Sequence, residues 1–358
     1  MNPYATALID MKALQHNFHR VRECAPSQKI IAMVKANAYG HGLCEVGAHL
    51  KEADAFGVAR LEEALTLKKV IRETQPILIM SGLLRKEEYV CAAEEGFHVV
   101  FHEKLHWDIV KEMNFKTPLS IWLKVDTGMH RLGVPPKEVV PLWEEFQKAP
   151  HCVKRMGIMT HFAQESSPQA EAQIECFQKA TGSLKGPFSL ANSACILRRP
   201  ATHGDWVRPG IMLYGSSPFS NTTTGLEEGL KPVMTLKSIL IAVHPLKKGD
   251  PIGYDGIWQC PEDMLVGVVA LGYGDGYPRH IEPETPILIH GQRVPIVGRV
   301  SMDMITVDLR TMPQAQVGDE VIAWGEGLPV EIIARSAKTI GYELLCQVTP
   351  RVKKEYAY

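Results

Sequence analysis

A lysine at the end of an apolar run is the residue in this chain whose position most directly favours chemistry. Lys35 follows the apolar residues 30–34 and precedes a polar, glycine-rich stretch, a pattern that predicts a buried strand ending in a loop. Partial burial disfavours the ammonium form of a lysine, and a neutral amine is a nucleophile that can form a Schiff base with an aldehyde. The alternative is a strand-end lysine that points into water.

Polar residues also end other apolar runs of the first two-thirds of the chain. Lys124, His161, Asn192 and Arg208 each stand at or just after such a run, as Lys35 does. In barrels of parallel strands the C-terminal strand ends form the active site. We therefore expect these five side chains to meet there, although any barrel has some polar strand ends.

Two strings of small residues predict a place for a phosphate group. Residues 190–195 read LANSAC and residues 206–215 read WVRPGIMLYG. Small residues and glycine let backbone N–H groups approach a phosphate closely, and a serine hydroxyl adds a donor. The same strings are also compatible with ordinary turns.

The apolar runs that would position these residues recur at the spacing of a barrel. Helix-like mixtures such as residues 60–73 and 86–95 separate them, and continuous apolar runs are typical of parallel strands buried on both faces. The eight predicted strands are residues 30–34, 55–58, 77–80, 98–101, 119–125, 156–160, 188–191 and 207–213. This alternation predicts an α/β fold with an N-terminal (β/α)8 barrel.

After about residue 230 the pattern changes to short runs separated by glycine and proline turns, which predicts a mostly-β domain. We expect a barrel at residues 10–230 and a C-terminal β domain at residues 231–358, with a helix at 331–340. The strand-like residues 1–9 would pair with the β domain.

The composition excludes some classes of function. The 358 residues carry a formal net charge of −1, with 39 Lys+Arg against 40 Asp+Glu, so nothing indicates a nucleic-acid or anionic-membrane surface. The longest apolar runs are strand-sized, and the N-terminus has no secretory signal pattern. The eight cysteines are scattered without a Cys-x-x-Cys pair, which disfavours zinc or dithiol chemistry and suits a reducing cytoplasm.

Several strings match, in order, those of one known enzyme family. VKANAYGHG around Lys35 is close to the string that carries the pyridoxal phosphate (PLP) lysine of alanine racemases, and KVDTGMHRLG at residues 124–133 is similar to a second family string. HFA, LANSAC, WVRPGIMLYG, PIGYDG, LGYGDGYPR and GRVSMD follow in the family order. The chain therefore resembles an alanine racemase from Lys35 to Tyr342, which implies a PLP-dependent interconversion of L-alanine and D-alanine.

The resemblance implies a role for each candidate residue. Lys35 would hold PLP and serve the D-alanine face, and Tyr254 would be the second catalytic residue, serving the L-alanine face. The implied cofactor-binding residues are Lys35, Tyr39, His161, Asn192, Ser193, Arg208, Gly210, Ile211 and Tyr342. The implied substrate-binding residues are Arg131 and Met302, supported by Lys124, Asp303, Tyr273, Arg279 and Arg299, with no metal.

Some of these implications concern particular contacts. In the family the lysine at the place of Lys124 is often carbamylated and orients the arginine at the place of Arg131. His161 would bond Arg208, which would face the pyridine nitrogen of PLP as a donor. The sequence departs from the family at Gln164, where many members have a small residue, and at Ser166, where many have an aspartate. Those positions line the substrate entrance in relatives.

The resemblance also implies a partner and a setting. The C-terminal motifs reach the active site from the partner subunit in the family, so a homodimer with shared sites is expected in the cytoplasm. D-alanine would be supplied for peptidoglycan, or alanine would be consumed in catabolism.

Three other readings remain open on the sequence. A PLP-dependent decarboxylase of the same fold would place an acidic residue where Arg208 stands, and a non-catalytic PLP-binding protein of the single-barrel type lacks the domain after residue 230. A metal hydrolase that uses a carbamylated Lys124 needs several strand-end His or Asp ligands, of which only His161 is obvious.

Overall fold

The computed structural model describes residues 4–165 and 168–358. The chain forms two compact units. One unit holds Phe18–Ala38 and Gly42–Gly210, and the other holds the N-terminal residues up to Asn17, Tyr39–His41 and Ile211–Tyr358. The first unit contains a barrel and the second a large β-sheet, which confirms the predicted fold class.

Eight parallel strands form the barrel, in the spatial order β8-β7-β6-β5-β4-β3-β2-β9. The strands are β2 (Lys29–Met33), β3 (Ala55–Val58), β4 (Ile77–Ile79), β5 (His98–Phe101), β6 (Leu119–Lys124), β7 (Val153–Met159), β8 (Phe188–Ser189) and β9 (Trp206–Val207). Every residue of β3, β4 and β5 is buried, as expected for strands covered on both faces. The continuous apolar runs therefore correspond to true barrel strands.

The last two barrel strands are shorter than the sequence predicts, and the prediction of a strand over 207–213 is wrong beyond Val207. Pro209 follows, which lacks an N–H to continue a ladder, and Ile211–Tyr214 is a 3-10 turn. Beyond β8 the carbonyl of Leu190 accepts a hydrogen bond from the Arg208 side chain at 3.1 Å. A side chain thus supplies a donor here, and the backbone closes the barrel with Arg208 N–H donating to Ala191 O at 2.9 Å.

Helices follow most of the strands, and the predicted helices at 60–73 and 86–95 are present in shortened form. The helical segments are α1 (Met11–Cys24), α2 (Lys35–Tyr39), α3 (Leu43–His49), α4 (Leu61–Lys68), α5 (Lys86–Glu94), α6 (Lys104–Val110), α7 (Val139–Lys148), α8 (Pro168–Thr181), α9 (Ser193–Arg198), α10 (Val330–Ser336) and α11 (Gly341–Gln347).

The helix predicted at 331–340 ends early as α10, and the helix that follows it, α11, was not predicted. The break occurs where Lys338 adopts a left-handed backbone with a φ of 53° and Ile340 is extended. The N–H of Thr339 donates to the carbonyl of Ala334 at 2.9 Å, which satisfies one of the last carbonyls of α10. Helical periodicity alone does not reveal such a stop because no glycine or proline marks it.

The second unit contains a sheet whose order is β13-β16-β15-β14-β17-β10-β1-β18. Its strands are β1 (Thr6–Asp10), β10 (Met234–Leu246), β13 (Met264–Val269), β14 (Pro286–Ile289), β15 (Gln292–Val297), β16 (Ile305–Asp308), β17 (Glu320–Trp324) and β18 (Lys353–Ala357), beside a separate hairpin of β11 (Pro251–Ile252) and β12 (Trp258–Gln259). β1 pairs antiparallel with β10 and parallel with β18. The long strand β10 is irregular between Leu240 and Ala242, and it pairs with β13 as well as with β17.

Two possible features are missing from the part of the chain that the structure describes. None of its helices combines the length and apolar character needed to span a bilayer. Within residues 4–165 and 168–358, no three His, Cys, Asp or Glu side chains are grouped so that they could hold a metal ion.

Two buried histidines, His102 just after β5 and His106 in α6, form a hydrogen-bonded pair. His106 Nε2 lies 3.2 Å from His102 Nε2, and His106 Nδ1 lies 2.7 Å from the Tyr89 hydroxyl and 3.0 Å from the Leu83 carbonyl. Because the carbonyl can only accept, Nδ1 of His106 carries the proton and its Nε2 accepts. Burial, followed by the neighbouring His102, lowers the pKa of His106 to about 4.

This buried histidine predicts a pH dependence of stability. The pKa of His106 is about 4 in the folded chain and an ordinary 6.5 in the unfolded chain. Between pH 6.5 and pH 4 the unfolded chain therefore binds a proton that the folded chain does not bind. The free energy of unfolding falls as the pH drops through this range. In His106→Gln, we expect the loss of unfolding free energy over this range to be smaller by up to about 3 kcal/mol. Chemical denaturation at several pH values measures this, with the exposed His151→Gln as control. An undiminished acid loss in His106→Gln would contradict the assignment.

Candidate functional site

Lys35 stands where β2 ends and the backbone reverses its handedness. Ala36, Asn37, Ala38 and Tyr39 all have φ near +53°, so α2 is a left-handed turn made of residues other than glycine. Such a conformation costs energy at each residue and persists only where its surroundings fix it. Glu63 is one such constraint, since its Oε1 accepts a hydrogen bond from the Ala36 N–H at 2.7 Å.

Asn37 supplies a second constraint on the same turn. Its side-chain Oδ1 accepts from the N–H of Leu43 at 2.8 Å, and its carbonyl accepts from the N–H of Gly42 at 3.0 Å. The turn is therefore held from α4 on one side and from the start of α3 on the other. Lys35 itself is partly buried at the beginning of this fixed segment.

Positive charges concentrate around Lys124 at the end of β6. Lys124 is 6% exposed, and burial, then the charges of Arg208, Arg131 and Lys35, lower the pKa of its ammonium group to about 8. Asp126 is the one acidic group that acts in the opposite direction on this lysine. The charges of Lys35, Arg131 and Arg208 thus all act on Lys124, and such a cluster favours bound anions.

Arg208 is the most deeply held member of this cluster. Its guanidinium donates to the Ser189 carbonyl at 2.7 Å and hydroxyl at 2.6 Å, to the Thr160 carbonyl at 2.5 Å and to the Leu190 carbonyl at 3.1 Å. Burial lowers its pKa to about 10, so it remains a cation at neutral pH. A side chain held by so many acceptors is fixed in place and can only donate.

His161 follows β7 beside the same charges. Burial, then Arg208, Lys124, Arg131 and Lys35, holds the pKa of His161 well below its usual range, so the ring is neutral near pH 7. The expected hydrogen bond between His161 and Arg208 is not among the bonds of the described residues, because the guanidinium is occupied by carbonyl groups and Ser189.

Asn192, Ser193 and Gly210 lie together near the ends of β8 and β9. The Ser193 hydroxyl accepts from the Gly210 N–H at 2.8 Å, and the Asn192 side chain accepts from the Cys195 N–H at 3.1 Å at the start of α9. A hydroxyl and backbone N–H groups at such close range are the donor types that a phosphate accepts from. This donor set is compatible with the phosphate group expected from the sequence.

The other unit collects three tyrosines. The Tyr39 ring stacks on Tyr214 with centroids 4.8 Å apart and lies 6.0 Å from the Tyr342 ring. Burial, then Tyr342 and Cys346, raises the pKa of Tyr39, so it is a neutral phenol and a hydrogen-bond donor. Ile211 is fully buried in this unit. Sequence reasoning identified Tyr39, Tyr342 and Ile211 but missed Tyr214, whose signal was only an aromatic residue beside Gly215.

The remaining candidates lie on turns of the β unit. Tyr254 is 64% exposed and Tyr273 is 38% exposed, and Asp255 lies 3.5 Å from Arg299. Met302 is exposed, and its carbonyl accepts from the Gly274 N–H at 2.8 Å, which joins the LGYGDGYPR and GRVSMD strings. Arg279 is exposed to solvent.

Asp303 takes part in an ion-pair network that sequence reasoning missed. Arg351 contacts Asp275 and Asp303, each at 2.8 Å, and so ties these two strings together. No motif surrounds Arg351 in the sequence, so no local signal pointed to it. At the expected substrate entrance, Gln164 is exposed, and Ser166 lies outside the described residues.

Comparisons with known proteins agree over nearly the whole chain. The family model "Alanine racemase, N-terminal domain" matches residues 9–218, and "Alanine racemase, C-terminal domain" matches residues 233–356. An alanine racemase of Nitrosococcus oceani is 50% identical over 98% of this chain and 99% of its own length. A biosynthetic alanine racemase of Escherichia coli is 46% identical over the same shares of the two chains.

Solved structures give the same result. The biosynthetic alanine racemase of Pseudomonas aeruginosa superimposes with a TM-score of 0.96 at 40% identity, covering 100% of both chains. The alanine racemase of Bartonella henselae, described with covalently bound pyridoxal phosphate, has a TM-score of 0.88 at 29% identity and covers 99% of this chain and 100% of its own.

The matched proteins are isomerases. This chain shares their architecture, in which a barrel with a lysine-centred cluster at its strand ends is followed by a β domain. The chain belongs to the alanine racemase family. It interconverts L-alanine and D-alanine.

The contact between Gly40 and α11 provides a test of how Tyr39 is held. Gly40 has a φ of +86°, and a Cβ there would lie 2.0 Å from the carbonyl oxygen of Leu345. Gly249 has a similar φ of +89° with nothing within 4 Å of such a Cβ. We expect Gly249→Ala to lower the unfolding free energy by about 1 kcal/mol and Gly40→Ala by roughly 3 kcal/mol or more, because only Gly40→Ala adds a backbone clash to the strain. Denaturant titrations measure both changes. Equal losses of unfolding free energy in Gly40→Ala and Gly249→Ala would show that the close approach of Gly40 to Leu345 does not contribute.

Proposed function

We propose that the racemisation depends on PLP, held covalently by Lys35. When bound, PLP delocalises the electron pair left at the α-carbon and so acidifies the α-proton. The observation that carries this proposal is the convergence of Lys35, Lys124, Arg131 and Arg208 beside His161, since these are the charges felt at the buried Lys124 and His161. A doubly anionic phosphate and a substrate carboxylate would offset this positive charge.

Several candidate cofactor-binding residues carry groups that could donate to a phosphate. In the barrel unit the Ser193 hydroxyl would donate to the phosphate, the Gly210 N–H would do so once it turns from Ser193 Oγ, and Asn192 supports the start of α9 beside them. Tyr39 and Tyr342, both in the β-sheet unit, are phenols that can donate to phosphate oxygens, and the backbone of Ile211 adds a further donor type. We propose residues 10–230 as the cofactor-binding domain and residues 231–358, with the strand of residues 1–9, as the C-terminal β domain.

Arg208 and His161 would complete the surroundings of the ring. Arg208 is a permanent donor, so it would bond the pyridine nitrogen of bound PLP without protonating it, and PLP would be a weaker electron sink there than beside an acidic residue. This disfavours the decarboxylase hypothesis, which expects an acidic residue at the position of Arg208. His161 stays neutral at this place and can pack against the ring without adding charge.

Lys124 would act after conversion to a carbamate. With a pKa of about 8, a substantial fraction of its amine is neutral near pH 8, and a neutral amine is the form that adds CO2. The product is an anion among cations, which would orient Arg131 towards the substrate carboxylate by charge-assisted hydrogen bonds. Met302 would offer its backbone to the same carboxylate.

Two groups would move the proton on opposite faces of the α-carbon. Lys35 Nζ would serve the D-alanine face and the Tyr254 hydroxyl the L-alanine face. Tyr254 is exposed on its own chain, as is Tyr273, and this supports their use by a second copy of the protein. We therefore propose a homodimer with shared sites, in which Asp303, Tyr273, Arg279 and Arg299 shape the substrate entrance.

We further propose that the protein works in the cytoplasm and supplies D-alanine for peptidoglycan. The relatives from Escherichia coli and Pseudomonas aeruginosa are named biosynthetic alanine racemases, and this supports the biosynthetic role over alanine catabolism.

The assignment of faces predicts an asymmetric defect in Tyr254→Phe. We expect racemisation to fall by about 10²–10⁴-fold, the usual contribution of a general acid–base group, while PLP stays bound. Exchange of the α-proton of D-alanine with deuterated solvent should persist through Lys35, and exchange from L-alanine should be lost. NMR of each enantiomer in deuterated water measures both rates, with Tyr273→Phe as control. Selective loss in Tyr273→Phe instead would move the catalytic role to that tyrosine.

Shared sites predict complementation between inactive variants. Lys35→Ala and Tyr254→Phe should each be nearly inactive, and borohydride should trap pyridoxyl only in Tyr254→Phe. An equal mixture after subunit exchange should recover about a quarter of the wild-type activity, because half of the dimers are mixed and each mixed dimer has one intact site. Mixtures that exchange subunits and stay inactive would count against sites shared between chains.

A further inference from the structure

Gln173 is a buried polar side chain on α8 to which no role has been given so far. It is 3% exposed, although Ala172 and Gln178 of the same helix are exposed to solvent. Its oxygen accepts from the Ala163 N–H at 3.1 Å, and its Nε2 donates to Thr127 Oγ1 at 3.0 Å and to the His161 carbonyl at 3.2 Å. All three polar functions of the amide are therefore used.

These contacts fix the direction of a longer chain of hydrogen bonds. Thr127 Oγ1 accepts from Gln173, so its own proton goes to Thr160 Oγ1 at 2.8 Å. The Thr160 hydroxyl in turn donates to the Val125 carbonyl at 3.0 Å. The chain thus begins at the Gln173 amide and ends on the residue next to Lys124.

The chain links two loops at the C-terminal ends of neighbouring strands. One loop follows β6 and contains Thr127 and Arg131, and within it Asp126 accepts from the N–H groups of Gly128 and His130, each at 3.0 Å. The other loop follows β7 and contains His161 and Ala163. Both loops contact the same amide, which lies on a regular helix of 14 residues.

We infer that Gln173 is a positioning residue that holds the loop of Arg131 and the loop of His161 in a fixed relation to one another. It acts through Thr127 on one loop and through the backbone of residues 161–163 on the other. The inference rests on the proposed function only for the roles of Arg131 and His161.

Gln173→Glu tests this with almost no change in size. The carboxylate oxygen that replaces Nε2 would face the His161 carbonyl, which can only accept, and Thr127 could donate to it only by turning its proton away from Thr160 Oγ1. Because small displacements of binding groups are costly, we expect kcat/KM to fall by about 10- to 100-fold, mostly through a higher KM for alanine. Gln178→Glu, the same change at an exposed position of α8, should stay within about twofold of wild type.

Hydrogen exchange of the protein without substrate provides the second readout. Amides of residues 126–131 and Ala163 should exchange at least about tenfold faster in Gln173→Glu, while peptides from β3 and α4 keep their rates. Uniformly faster exchange with unchanged KM would reduce Gln173 to a purely structural role and overturn the inference. This readout does not require PLP or racemisation, so a failure of the proposed function would leave it intact.

A milder pair of variants keeps the test informative if Gln173→Glu does not fold. Gln173→Met and Thr127→Val both break the same hydrogen-bonded chain, so the double variant should raise KM by little more than the stronger single variant. Thr127→Ser keeps the hydroxyl, so its KM should stay near the wild-type value. Additive effects of Gln173→Met and Thr127→Val would show that the two residues act independently and would overturn the inference.

Discussion

The burial of the Arg208 guanidinium is the interaction on which the barrel unit depends. Its donors reach the ends of β7 and β8, where they satisfy the carbonyl oxygens of Thr160 and Leu190 and share the Ser189 carbonyl with the Thr160 N–H. A hydrogen bond from a buried charged donor to a carbonyl stabilises the fold more than a bond between neutral groups. Removal of either partner leaves an unsatisfied polar group inside the protein. The strands can end early, and the polar loops can begin, because this cation satisfies the carbonyls there.

The same cation sets the electrostatics of its surroundings. Its charge is the second largest cause, after burial, that lowers the pKa of Lys124 and of His161. Both groups can therefore exist uncharged. Such a cluster carries excess positive charge until anions arrive. Binding of anionic ligands and the stability of this region are therefore thermodynamically linked, since each anion removes repulsion among groups that the fold holds together.

Much of this could be read from the sequence, and the exceptions have physical causes. The strands β3 and β5 were predicted at their observed bounds because continuous apolar runs leave little choice. The strand predicted at 207–213 failed because Pro209 has no N–H to continue the ladder and the chain turns into a 3-10 helix at Ile211–Tyr214. Lys35 and its companions were recognisable as consecutive strings. Gln173, Arg351 and Tyr214 were not, since their partners are distant in sequence and only the fold brings them close.

The pairing of β1 with β18 has a consequence for how the sheet assembles. Thr6 lies opposite Lys353, so two five-residue strands that are far apart along the chain must meet before this part of the sheet is complete. While β18 is detached, β1 has no partner on that side, and an open strand edge is a template for association with other chains. The lysines and the glutamate of β18 form a charged outer strand that covers this edge. Fraying of β18 alone would therefore expose an edge that favours aggregation.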